Sequence, residues 1–292
     1  MIPRAAVAAD PWAARRRRAD ELKQRWPFAA EVLARYRAVL DVQAPAFHAA
    51  QAMPPDPAGV AAYIAQRVLP AVMGASAVNG PERLAASVAE RFHTANLEHM
   101  VARWLAGDEL PAVDRYLARA AAGPVLEAMG DAAGQACAGP RDERHCPNCG
   151  GAPQVSWIKL SAEDLVTPHR YLECGRCAVG WSYPRLTCAA CGETDASLLT
   201  LLGEEAAVGG ATPGQVVPEP AGGRSGRPRD AGTRFPHIRI DACWTCSRYI
   251  LNIDLRREPR AVPVVDEMAA IPLALYAQER GMAKIQPNLV GC

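Results

Sequence analysis

Cys146-Pro147-Asn148-Cys149-Gly150, Cys174-Gly175-Arg176-Cys177, Cys188-Ala189-Ala190-Cys191-Gly192 and Cys243-Trp244-Thr245-Cys246 decide how this 292-residue chain reads. Eight of its ten cysteines fall in these four C-x-x-C pairs, and Cys137 and Cys292 stand apart as spare thiols. Two thiolates three apart in a tight turn present adjacent corners of a tetrahedron, and the turn's backbone N–H groups can bond to the sulfurs. Gly150 and Gly192 follow their pairs directly and can take the left-handed conformation that such a turn needs. Disulfides and redox-active dithiols use the same residues, but no secretory signal is read at the N-terminus, and paired thiols in a reducing compartment read first as metal ligands.

The spacing sets the favoured pairing. Twenty-four residues separate Cys149 from Cys174, and 51 separate Cys191 from Cys243. The second interval contains a 30-residue stretch, 203–232, with 8 Gly and 4 Pro, which composition marks as a disordered insertion. Without it the second interval is 21 residues, close to the first. Flanking residues repeat as well. Trp157 and Leu199 each lie eight after the leading pair, and an Arg-led β-like run precedes each later pair, Arg170 to Glu173 and Arg239 to Ala242. The unit is a knuckle, a β-hairpin and a knuckle, occurring twice. One four-cysteine site is then Cys146, Cys149, Cys174 and Cys177, and the other is Cys188, Cys191, Cys243 and Cys246; interleaved and nested pairings stay open. All-sulfur tetrahedral coordination suits iron and zinc alike, and a closed site has no free position for hydrolytic chemistry. Arg170, Arg176, Arg185 and Arg248 lie close enough in sequence to offset the sites' negative charge.

Working outward, the sequence before residue 137 holds no cysteine and is rich in Ala, Arg and Leu. Pro27 opens a helix over Phe28–Asp41. Asp56 caps another, with Pro57 at its first position, through Leu69. Pro81 begins a long helix to about Leu105, and shorter runs start at Leu110 and Pro124. Five to seven helices are expected as an irregular bundle. Arg15 to Arg18 read as a solvated helix face. Beyond the knuckles, about Val264 to Met282 is helical again, with Pro272 imposing either two short helices or one kinked one. The fold class is α+β. It comprises a helical domain (1–140), two four-cysteine modules (141–187 and 188–260) and a helical tail (261–292).

Composition excludes several functions. Lys plus Arg is 32 and Asp plus Glu 31, a net charge of +1, which disfavours a dedicated nucleic-acid coater. No run of 18 apolar residues is found, so no membrane span is expected. No phosphate loop, nucleophile elbow or carboxylate pair points to catalysis. His93 and His99 lie six apart, which is not a same-face spacing on a helix. Trp157, Trp181 and Trp244 are expected to pack beside the sulfur sites.

The four knuckles, with Arg170-Tyr171-Leu172-Glu173 before the second, Arg185-Leu186-Thr187 before the third, Ser247-Arg248-Tyr249-Ile250-Leu251 after the fourth, and the tail from Val264-Val265-Asp266-Glu267-Met268 to Ile285-Gln286-Pro287-Asn288-Leu289, resemble the FdhE-type formate dehydrogenase accessory proteins. The likeness spans residues 146–292 and is weaker over the helical half. It implies two rubredoxin-like mononuclear iron sites on the eight cysteines, with zinc possible in place of iron. It further implies a cytoplasmic, non-catalytic maturation factor that binds the catalytic subunit of respiratory formate dehydrogenase before export. The 203–232 insertion, Asn148, Pro272 and Cys292 depart from the family pattern. Two other readings rest on the same motifs: a zinc-ribbon nucleic-acid-binding protein, and an iron-tetrathiolate electron-transfer or redox-sensing protein.

Overall fold

The computed structural model describes residues 10–160, 168–204, 216–218 and 233–291. Chain contacts divide it into two compact units, Met1–Ala152 with Cys174–Gly180, and Pro153–Glu173 with Trp181–Cys292. The first cysteine module of the sequence reading, 141–187, is thus shared. Its two knuckles belong to the helical unit, and the strands between and after them belong to the other.

Eight α-helices build the first unit among the described residues: α1 (Pro11–Arg25), α2 (Ala30–Ala52), α3 (Val60–Arg67), α4 (Leu69–Asn79), α5 (Glu82–Thr94), α6 (Leu97–Leu105), α7 (Ala112–Met129) and α8 (Ala133–Ala136). Leu22, Leu33, Leu40, Phe47, Ile64, Leu69, Leu117 and Leu126 form its core. Each such side chain contributes about 1.5–3 kcal/mol by leaving water.

Four helical expectations change. The run from Pro81 to Leu105 is two helices, because Asn96 caps α6 by accepting the His99 N–H at 3.0 Å. The helix expected over Phe28–Asp41 begins at Ala30 and continues to Ala52, past Pro45. Pro124 does not start a helix but lies inside α7. Proline lacks the N–H that would bond to the carbonyl four residues back, and the buried Gln43 side chain donates to that Ala120 oxygen instead, at 2.6 Å. Finally, Arg15 and Arg18 on α1 are buried rather than solvated, and Arg15 pairs with Glu127 of α7 at 2.7 Å.

Pro57–Asn79 meets the length and hydropathy of a membrane span, which the sequence reading did not expect. It is broken at Val68 between α3 and α4. Its buried residues, among them Val60, Ile64, Val68, Leu69, Val72 and Met73, belong to the core of the helical unit, where α3 packs on α6 and α4 on α2 and α7.

The second unit is organised by a mixed sheet of β1 (Pro153–Leu160), β2 (Pro168–Cys174), β3 (Gly180–Ser182), β4 (Leu199–Glu204), β5 (Val216–Pro218), β6 (Ile238–Cys243), β7 (Arg248–Asp254) and β8 (Ala283–Lys284). The order is β3-β2-β1-β7-β6-β4-β5, with β8 also on β7. The expected hairpin of the second repeat is β4 antiparallel to β6, from Leu199 opposite Cys243 to Leu202 opposite Ile240. Of the 203–232 insertion, Gly203 and Glu204 end β4 and 216–218 form β5 beside them; the remainder lies outside the described residues. The tandem repeats are not separate sheets. β1 of the first pairs in parallel with β7 of the second, Val155 opposite Leu251 through Ile158 opposite Asp254. The tail forms two short helices, α9 (Pro263–Ala269) and α10 (Ile271–Glu279), with Pro272 in the first turn of α10, where a missing N–H costs nothing. The architecture is α+β, as the sequence implied.

Candidate metal centres

The sulfurs gather in two quartets, Cys146, Cys149, Cys174 and Cys177, and Cys188, Cys191, Cys243 and Cys246, with all ligand atoms of each quartet within 4.8 Å of one another. Sγ–Sγ separations are 3.6 Å for Cys146–Cys177 and 3.4 Å for Cys149–Cys174 in the first. In the second they are 3.8 Å for Cys188–Cys246 and 3.7 Å for Cys191–Cys243. A disulfide needs about 2.05 Å. A tetrahedron with metal–sulfur bonds near 2.3 Å has edges of about 3.8 Å. The geometry therefore fits a tetrathiolate ion and not cystine, and each quartet could hold one metal ion.

Each knuckle is shaped by its backbone. The Gly150 N–H bonds back to the Cys146 carbonyl at 3.0 Å, and the Ala178 and Gly192 N–H groups do the same to Cys174 and Cys188 at 3.2 and 3.0 Å. The N–H two residues into the turn points at the leading sulfur: Arg176 to Cys174 at 3.3 Å, and Ala190 to Cys188 at 3.4 Å. The residue after each second cysteine has positive φ in all four knuckles: Gly150 (72°), Ala178 (56°), Gly192 (83°) and Ser247 (52°). Two glycines meet this demand freely; Ala178 and Ser247 meet it at a cost of about 1 kcal/mol each. Close packing adds a second constraint at Gly151, where a Cβ would lie 2.8 Å from the Cys174 sulfur.

Electrostatics make the same case for a cation. Hydrogen bonds from Cys149, Cys174 and Cys177 hold the Cys146 thiol far below its ordinary value. Burial, and then hydrogen bonding to Cys146 and Cys149, pushes the Cys174 thiol well above its own. Four thiols this close cannot all ionise against one another, whereas a bound metal cation lets them do so. Cys137 is a fifth buried thiol in the helical unit. Burial, opposed by Arg176, raises it to about 11, so it stays uncharged. Cys292 lies outside the described residues.

The surroundings of the quartets differ. Cys146 and Cys149 are fully buried. Three arginines clamp the first quartet's loops. Arg119 donates to the Gly175 carbonyl at 3.0 Å. Arg141 donates to the carbonyls of Asn148 at 2.9 Å, Gly134 at 2.8 Å and Cys137 at 3.0 Å. Arg176 donates to Ala138 at 2.9 Å and Cys149 at 3.2 Å, its guanidinium 5.1 Å from the Trp104 ring centroid. At the second quartet Cys191 and Cys246 reach solvent. There the tie between knuckles is a carboxylate. Glu193 accepts from the Thr245 hydroxyl at 2.8 Å and from the N–H groups of Thr194 and Asp195, both at 2.9 Å. Those bonds, the one from Asp195 foremost, hold Glu193 below the usual carboxylate range.

Of the arginines picked out in the sequence, Arg176 serves the first quartet. Arg170 pairs with Asp241 at 3.2 Å, and Arg248 donates to the Lys284 carbonyl at 3.4 Å. Arg119 and Glu193 were missed because they act on backbone or on a distant knuckle and leave no spacing signal; Arg141, five before Cys146, could have been suspected. Trp181 is buried as expected, but Trp244 is 46% exposed with its indole N–H on Thr200 at 2.9 Å, and Trp157 stacks on Tyr171 at 4.3 Å. His93 and His99 fall on different helices, α5 and α6.

Four knuckles and two sulfur quartets define a protein with two four-cysteine candidate metal centres. Comparison narrows this further. Residues 145–185 match the model of the FdhE central domain. The chain is 31% identical over 149 residues to an FdhE homolog of Aquifex aeolicus, covering 51% of this chain and 42% of that one. It is 26% identical over 145 residues to an FdhE homolog of Pseudomonas aeruginosa, covering 50% and 38%. These matches span less than half the length of the curated relatives. The crystal structure of the FdhE protein from Pseudomonas aeruginosa shares the fold, with a TM-score of 0.59 and 18% identity over 97% of this chain and 96% of that one. The chain is thus similar to FdhE proteins, in sequence over about half its length and in fold over nearly all of it.

Proposed function

We propose that this chain is a cytoplasmic, non-catalytic maturation factor for the catalytic subunit of a respiratory formate dehydrogenase. In this reading all eight cysteines are ligands to two mononuclear iron ions, with zinc able to replace iron, and the ions hold the knuckles rigid as part of a recognition surface. The observation that carries it is the closed sulfur quartet. Four cysteine sulfurs fill a tetrahedral ion's coordination and leave no position for substrate. The similarity to FdhE homologs is what supports the choice of partner.

The test is replacement of the chromosomal gene by Cys146→Ser or Cys188→Ser, with formate dehydrogenase activity and metal content measured together. Loss of metal with loss of activity is expected. Full formate dehydrogenase activity in cells whose only copy yields metal-free protein would overturn the proposal. Elemental analysis with a visible spectrum separates the metals: two equivalents of iron give a red thiolate-to-iron absorption, whereas zinc gives none.

One observation favours a second reading, electron transfer or redox sensing. Cys191 and Cys246 bring the second quartet to the surface, within reach of a redox partner. A reversible iron couple, with activity lost on zinc substitution, distinguishes that role. A zinc-ribbon nucleic-acid role would show steeply salt-dependent binding, and the net charge of +1 speaks against it.

A further inference from the structure

One face of the sheet in the second unit carries charge that the metal sites do not use. On β6, Arg239 and Asp241 alternate onto this face, and Asn252 of β7 lies opposite Arg239. Ser156 of β1 lies opposite Asn252 in turn. The Asn252 amide donates to the Ser156 hydroxyl at 2.8 Å and to Asp241 at 3.1 Å. Arg170, 3% exposed, pairs with the same Asp241 at 3.2 Å, and Arg239 does so at 3.2 Å. Two residues beyond Asn252, Asp254 binds Arg256 through both carboxylate oxygens, at 2.8 and 2.5 Å, with Arg257 at 3.9 Å.

The segment carrying Arg185 is held against Arg170, which donates to the carbonyls of Pro184 at 3.3 Å and Thr187 at 3.0 Å. Arg185 itself makes no hydrogen bond or ion pair among the described residues. Partial desolvation, and then the guanidiniums of Arg239 and Arg256, pull it below its ordinary value, while Asp241 and Asp254 act the other way. Both of those carboxylates are already taken by other arginines. Buried polar atoms also stand without partners here, the Arg170 Nε and the Asn252 Oδ1. Five guanidiniums, of Arg170, Arg185, Arg239, Arg256 and Arg257, thus share two carboxylates, and the Arg185 fork is uncommitted among the described residues.

We propose that Arg185, Arg239 and Arg256 form a binding site for a compact phosphate dianion, free or as the phosphate of a monoester or pyrophosphate, on the sheet face above Arg170. Planar guanidinium forks match tetrahedral oxyanions through paired hydrogen bonds, and several on one spot suit a dense charge better than the spaced carboxylates of an acidic peptide. The site does not depend on the maturation role or on which metal is bound.

The test uses the full metal-loaded chain, titrated calorimetrically at fixed ionic strength with inorganic phosphate, a phosphomonoester (glycerol 3-phosphate) and pyrophosphate. Arg185→Ala serves as the principal variant because it removes no existing bond. Saturable one-to-one binding is expected for at least one probe, weakened about tenfold or more in Arg185→Ala, with metal content and melting temperature unchanged. Arg256→Lys, which keeps the charge and loses the fork, should fall between. The strongest of the three probes identifies the source of the phosphate. Absence of saturable binding by all three would overturn the proposal, as would equal binding by Arg185→Ala. Binding of a glutamate-rich peptide in place of every phosphate probe would reassign the site to a protein partner.

Discussion

The two sulfur quartets are built on one repeat and differ in what surrounds them. The first is buried, and the arginines at 119, 141 and 176 tie its loops to the helical unit through backbone carbonyls. The second opens to solvent at Cys191 and Cys246, and its knuckles are joined by an exposed glutamate–threonine bond. A tetrathiolate around a divalent ion carries net negative charge. Nearby guanidiniums favour holding that charge away from water, whereas Glu193 adds to it and relies on solvent screening. The lesson is that one set of four cysteines can be placed in two different electrostatic settings by neighbours outside the quartet.

Ligand removal is the harshest way to break the comparison. Cys149→Ser is expected to lower metal content from two ions to one and to forfeit a large part of the roughly 10–16 kcal/mol that a structural tetrathiolate site contributes. The melting temperature of the helical unit should drop with it. Cys191→Ser should remove one ion as well but leave that unit's melting nearly unchanged. Similar thermal losses in both variants, read by circular dichroism and elemental analysis, would erase the distinction.

Next in size is metal retention. Arg176→Ala is expected to weaken metal binding at the first quartet by about 10- to 100-fold, the usual effect of deleting a group that holds ligands in place. The second quartet should be untouched. In competition with a chelator, the unmodified protein should release its ions in two phases, the solvent-facing site first, and Arg176→Ala should bring the phases together. A single phase in the unmodified protein would contradict the asymmetry.

Smaller effects sharpen the picture. Thr245→Val removes one exposed hydrogen bond across the second quartet and should cost at most about 1 kcal/mol in chemical denaturation. Ala178→Gly and Ser247→Gly relieve positive φ, one at each quartet, and each should stabilise by at most about 0.5 kcal/mol once glycine's own entropy is counted. Because the strain is local to the turn, the two gains should match despite the different surroundings; a gain at one site alone would show that the surroundings reach into the turn itself.

Much of this was legible in the sequence because the signal lay in short-range spacing. The grouping of the sulfurs followed from C-x-x-C pairs at near-equal intervals, and the positive φ of Gly150 and Gly192 from the turn that such pairs require. Helix existence was readable from proline and apolar periodicity. Helix extent was not, where a long-range contact decided it: nothing near Pro124 in sequence announces that Gln43 satisfies the Ala120 carbonyl and lets α7 continue. Asn96 was a local signal overlooked inside a long apolar pattern. The burial of Arg15 against Glu127 joins residues 112 positions apart, which a one-dimensional reading takes for two solvated charges.

The parallel ladder between β1 and β7, from Val155–Leu251 to Ile158–Asp254, carries a consequence for the handling of this fold. Where two repeats share a seam of main-chain bonds, neither can be excised, permuted or exchanged without baring an unpaired edge at the centre of the other. The seam makes the two repeats one object, open to change mainly at its rims.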